Sequence, residues 1–132
     1  MKYLLTIGYD DGVSGTPAER WKPEDIRAQL DHYDALTNEL MATGEYVDGH
    51  TLTGPSLAKV VTSDGATANV TPGPRAEPVT MLAGFHLIDV ESEARAVEIA
   101  GRLSQAPGPG GVPLQQPIGV RRVMSITDVE PL

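Results

Sequence analysis

Two runs of this chain alternate with the period of a strand yet carry apolar side chains on both parities. In Lys2 to Tyr9 the residues Tyr3, Leu5, Ile7 and Tyr9 share one parity, and Leu4 adds an apolar group to the other. In the most strand-like run, Val79 to Val90, Leu82, Gly84, His86, Ile88 and Val90 share a parity, while Ala83, Phe85 and Leu87 take the other. Successive side chains of a strand point to opposite faces, so a sheet built from these runs has two faces to shield from water. Only two segments have helical spacing, which is helix enough for one face. The other face needs separate cover, and a homodimer is the economical way to supply it.

The helices are bounded by local chemistry. Pro23 suits a first helical position, Glu24 and Asp25 complement the N-terminal end of the helix dipole, and Gly44 ends the segment, which predicts a helix over Pro23 to Thr43. Ile26, Leu30, Tyr33, Thr37, Leu40 and Met41 form its apolar stripe, with Tyr33 central and therefore expected to be buried. His32 falls on the flank, with no carboxylate three or four residues away. The second helix runs from about Ser92, an N-cap residue, to Ser104, with Ala94, Val97, Ala100 and Leu103 as its stripe.

Between the helices, Glu45 to Leu52 and Ala58 to Ser63 are strand candidates, with Asp64-Gly65 as a hairpin turn and Ala66 to Thr71 as the return strand. Ala106 to Gly111 reads as a flexible loop, and Ile118 to Ile126 as the last strand. The order of strand, helix, strands, strand, helix, strand predicts an α+β fold. It is the ferredoxin-like split βαβ arrangement with an inserted hairpin, in one domain over residues 1–132.

Composition excludes several functions. Eighteen acidic against ten basic residues leave a net charge of −8, which argues against nucleic acid or an anionic membrane as partner. No apolar run approaches the length of a membrane span. With no cysteine there is neither disulfide nor thiolate chemistry, and a cytoplasmic location without a signal peptide is expected.

Several segments in this order resemble a known family. They are Met1-Lys2-Tyr3-Leu4-Leu5, the helix ending Glu39-Leu40-Met41-Ala42-Thr43-Gly44, Thr71-Pro72-Gly73-Pro74-Arg75-Ala76-Glu77, Leu82 to Val90, and Val120-Arg121-Arg122-Val123. Together they span nearly the whole chain and resemble the YCII-related DGPF-domain proteins. The resemblance implies a dimeric α+β barrel, two ferredoxin-like subunits with their sheets face to face. It also implies kinship with a wider group that includes a lyase acting on halogenated phenolic rings. The Asp-Gly-Pro-Phe signature of that family is here Pro72-Gly73-Pro74-Arg75, which lacks the carboxylate and the ring and gains a cation. Aligned on Gly44, the first-helix histidine of the wider group falls on or next to Tyr33.

Three histidines are available, His32, His50 and His86, and none has helical metal-ligand spacing. Asp48 and His50 share one side of a strand and can orient an imidazole, bind a divalent ion, or simply be solvated. His86 lies in a core strand two residues from Gly84, a position that leaves room for a ligand or a neighbouring backbone. In an apolar setting its imidazole stays neutral and can act as a general base, or it can be a core histidine bonded to a carbonyl. Arg121 matches the family's arginine and can stabilise a bound anion or form an interface ion pair.

These features point to a small enzyme without metal or other cofactor that performs acid/base chemistry of lyase, isomerase or oxygenase type. Its expected substrate is a small aromatic or polyketide-like molecule, with His86 and Arg121 catalytic and Tyr33, Arg75 and Gly84 lining the site. The alternative is a non-catalytic ligand-binding or regulatory homodimer. Because metal-ligand spacing is absent, treatment with a chelator should leave the thermal melting temperature unchanged. A drop of several degrees, reversed by one particular ion, would show that a metal belongs to the fold.

Overall fold

The computed structural model describes residues 1–8, 21–72 and 82–125. Eight main elements follow in order: β1 (Lys2–Gly8), α1 (Pro23–Thr43), β2 (Tyr46–Thr51), β3 (Lys59–Ser63), β4 (Ala68–Pro72), β5 (Leu82–Asp89), α2 (Glu93–Ser104) and β6 (Ile118–Arg122). Four strands form an antiparallel sheet in the order β2-β5-β1-β6, and β3 and β4 form a separate hairpin. This is a mixed α+β fold with the strand order of a ferredoxin-like arrangement.

The core lies on one face of the sheet. Tyr3 and Leu5 of β1 and Ile88 of β5 meet Leu36 and Leu40 of α1 and Ala96, Ile99, Ala100 and Leu103 of α2. Leu5, Ile88 and Ile99 are completely buried, and each contributes roughly 1.5–3 kcal/mol of transfer free energy. The small residues Ala96 and Ala100 let α2 approach the strands closely. Tyr46, Ile118 and Val120 pack against the margins of this core.

Both helices begin and end where the sequence indicates. Gly44 adopts φ 79°, the left-handed conformation that favours glycine, and its N–H returns to the Met41 carbonyl. Ser92 caps α2 by accepting the Arg95 N–H at 3.1 Å.

The face that α1 buries differs from the expected stripe. Leu36 and Leu40 are buried, Tyr33 is half-buried, and Ile26, Leu30 and Met41 are exposed. The helix must meet α2 as well as the sheet, which turns it toward Leu36. Two contacts to Arg102 hold that rotation: Glu39 pairs with its guanidinium, and the His32 Nε2–H donates to its carbonyl at 2.8 Å. A carbonyl can only accept, so Nε2 carries the proton. The bond satisfies one of the carbonyls that the last turn of α2 leaves unpaired.

Other differences are local. The hairpin turn takes four residues, because the Asp64 carboxylate accepts the N–H groups of both Ala66 and Thr67, and the return strand therefore starts at Ala68. The segment after α2, expected as a flexible loop, is tied by backbone bonds from Gly108 to Val112, Leu114 to Ala106 and Gln115 to Ser104. Strand β6 ends at Arg122 rather than continuing to residue 126, which lies outside the described residues. Among the described residues no helix is long and apolar enough to cross a membrane.

One ion pair joins the start of β2 to α2. Arg95 donates through Nε and Nη2 to the two oxygens of Glu45, each at 2.9 Å, and the Thr43 hydroxyl donates to the same carboxylate. These hydrogen bonds, with the guanidinium charge, lower the Glu45 pKa from 4.5 to about 2. In the unfolded chain Glu45 titrates at its ordinary value, so the pair's contribution is complete above pH 4.5 and fades as the pH falls toward 2. Glu45→Gln should cost about 2 kcal/mol at pH 7 and much less at pH 3, measured by urea denaturation at both values. An equal loss at the two values would assign the effect to packing.

Candidate functional site

The register of the central sheet decides which candidate residues can act together. Across the strands, Gly49, His86, Leu5 and Val120 are successive partners, so all four lie on the face that meets the helices. Asp48, Leu87, Leu4 and Arg121 form the next row and lie on the opposite, open face. His86 and Arg121 are thus separated by the thickness of the sheet, and the structure does not bring these two expected partners together.

On the helix side, His86 is half-buried, and burial holds its imidazole below the ordinary pKa. Its ring stands edge-on to Tyr46, with centroids 6.3 Å apart. Gly49 lets both side chains close in over it, because they occupy the place its own side chain would take. A Cβ placed there would come 2.8 Å from His86 Nδ1 and 2.9 Å from the Tyr46 hydroxyl oxygen. Tyr33 packs on the same core from α1, half-buried, and burial raises its phenol pKa. The outcome is an imidazole that burial keeps neutral, with two phenol hydroxyls on the same side of the sheet, a set that can accept a proton and donate hydrogen bonds.

Tyr46 was not singled out from the sequence. Strict alternation puts residues 46 and 49 on opposite faces, but the pairing of β2 with β5 shifts register between Tyr46 and Asp48. That bulge moves Tyr46 to the face of Gly49 and His86. Alternation alone carries no sign of it.

Gly84 is buried, and its missing side chain admits backbone rather than ligand. A Cβ there would lie 2.9 Å from the His50 carbonyl oxygen of β2. Arg75 lies outside the described residues. Arg121 is exposed at the β6 edge of the open face.

No family model matches the chain, and no curated protein matches it at a significant level. Function therefore rests on the chemistry of the site.

A third histidine occupies the open face. His50 Nε2 lies 3.1 Å from Asp48 Oδ1, which also accepts the Gly49 N–H at 2.9 Å, and the imidazole packs edge-on to Phe85 at 5.8 Å. Both members of this pair are exposed. Among the described residues no group of three or more histidine or carboxylate side chains converges as a metal site would require.

The role found for Gly84 can be checked by substitution. Gly84→Ala pushes a methyl group against backbone rather than against a movable side chain, so it should destabilise the fold by about 1–3 kcal/mol. Thermal unfolding with unchanged stability would show that β2 yields there and that the glycine serves another purpose.

Proposed function

We propose that this chain is a small acid/base enzyme of the YCII-related, DGPF-like kind, acting without a cofactor on a small aromatic or polyketide-like molecule. In this reading His86 is the general base. The observation that carries it is the half-buried imidazole kept neutral beside Tyr46 and over Gly49, on the face shared with Tyr33. A neutral imidazole takes a proton from the substrate, leaving an enolate or phenolate, and a phenol hydroxyl donates a hydrogen bond to the oxygen that gains charge. The aromatic side chains favour a flat substrate, and lyase or isomerase chemistry needs no more than this proton movement. Oxygenase chemistry is the variant in which the resulting carbanion meets dioxygen. Tyr33 and Tyr46 take over the anion-stabilising role first expected of Arg121.

The same reading includes a homodimer closed over the open face, the arrangement implied by the family resemblance. Leu4, Phe85 and Leu87 are half-buried on that face, where neither helix packs. The second reading, a non-catalytic ligand-binding or regulatory homodimer, draws on the separation of His86 from Arg121 and on the altered signature Pro72-Gly73-Pro74-Arg75.

Turnover of a panel of phenols and polyketide-like 1,3-dicarbonyl compounds, followed by absorbance, tests the enzyme reading. His86→Asn should reduce kcat/KM by about 10²- to 10⁴-fold. For the wild type, kcat/KM should rise with pH through a value below 6.5 and be level at neutrality, because burial lowers the pKa of the base. Tight binding of the panel without turnover would transfer the conclusion to the binding dimer. Full turnover by His86→Asn would remove His86 as the base.

A further inference from the structure

The open face of the sheet is self-complementary about one direction. Row by row, Asp89 is paired with Lys2; Asp48, Leu87, Leu4 and Arg121 cross all four strands; and His50, Phe85, Thr6 and Gly119 do the same one step along. The middle row is therefore acidic at the β2 edge, apolar over β5 and β1, and basic at the β6 edge. Neighbouring strands are about 4.8 Å apart, so the two edge charges stand roughly 14 Å from each other. They are too distant to pair within one chain.

We infer that the open face pairs with a second copy about a two-fold axis parallel to the strands, which sets Arg121 of each protomer against Asp48 of the other. The inference rests on the homodimer proposed above and specifies its register. Rotation about such an axis keeps the level of each row and reverses its order. Asp48 then faces Arg121, Leu87 faces Leu4, Asp89 faces Lys2, and the His50 imidazole faces Gly119, over which the Thr6 hydroxyl lies. Packed sheets are about 10 Å apart, a gap that an arginine and an aspartate span together. An axis perpendicular to the strands, passing through the middle row, instead sets Asp48 on Asp48 and Arg121 on Arg121. Like charges facing each other in an interface oppose association. Each chain carries a net charge of −8, so the cations present on this face count for more than their number suggests.

Sedimentation equilibrium over a concentration series tests the register. Arg121→Asp and Asp48→Arg should each raise the dimer dissociation constant at least tenfold, and the chain carrying both changes should regain most of the lost affinity. A monomeric wild type at micromolar concentration would overturn the homodimer and the register together. A dimeric wild type whose affinity neither single change alters, or whose double variant shows no recovery, would overturn the register alone. Because the chain has no cysteine, cross-linking gives a second measurement. With a short bis-maleimide, Asp48→Cys combined with Arg121→Cys in one chain should give covalent dimers, whereas Asp48→Cys alone should not. Efficient cross-linking of Asp48→Cys alone would select the perpendicular axis and refute the proposal.

Discussion

The described residues are arranged around β1, which is hydrogen-bonded on both sides and carries apolar side chains on both faces. On one face Tyr3 and Leu5 are sealed by the two helices. On the other, Leu4 shares with Phe85 and Leu87 a surface that neither helix reaches. Two helices of 21 and 12 residues can cover only one side of a four-stranded sheet. The imbalance follows from chain length and strand composition, and it divides the molecule into a side with a core and a side with an apolar strip between charged edges.

The fold was legible where a single residue type decides a boundary. Gly44 stops α1 because few other residues adopt its backbone conformation, Pro23 starts the helix, and Ser92 caps α2. Rotation of α1 was not legible. Its apolar residues outnumber those the core can take, and the face that buries Leu36 rather than Ile26 or Leu30 is the one that also meets α2, where His32 bonds to Arg102, seventy residues further on. A periodicity measured along one helix contains no information about a partner so distant in sequence.

For the site, legibility ran along strands and failed across them. The parity of β5 correctly grouped His86 with Ile88 and separated it from Phe85 and Leu87, and the parity of β6 separated Arg121 from Arg122. What parity cannot supply is the register that makes His86 the neighbour of Gly49 and Arg121 the neighbour of Leu4. Once the register is known, the two residues first joined as base and anion holder fall on opposite faces. Tyr46 enters only through a bulge, a one-residue irregularity that reverses the alternation on which the sequence reading depended.

The sheet is a single layer, so the proposed site and the open face are two sides of the same few residues. Phe85 and Leu87 flank His86 on β5 and point away from it, and Asp48 and His50 flank Gly49 on β2 in the same manner. Strand β2 is an edge, held by β5 alone within the sheet, yet it carries both the glycine that makes room for His86 and the Asp48–His50 pair. An edge strand has one hydrogen-bonded neighbour in its sheet, so its register rests on that single pairing. Displacement of β2 would move Tyr46 and Gly49 relative to His86, because their positions are set by the β2 to β5 pairing. A second copy seated on Phe85 and Leu87, and gripping Asp48 from across the gap, would hold that edge in register. In the proposed arrangement the interface would contribute no atom to the reaction and would act by keeping the backbone beside the imidazole in place.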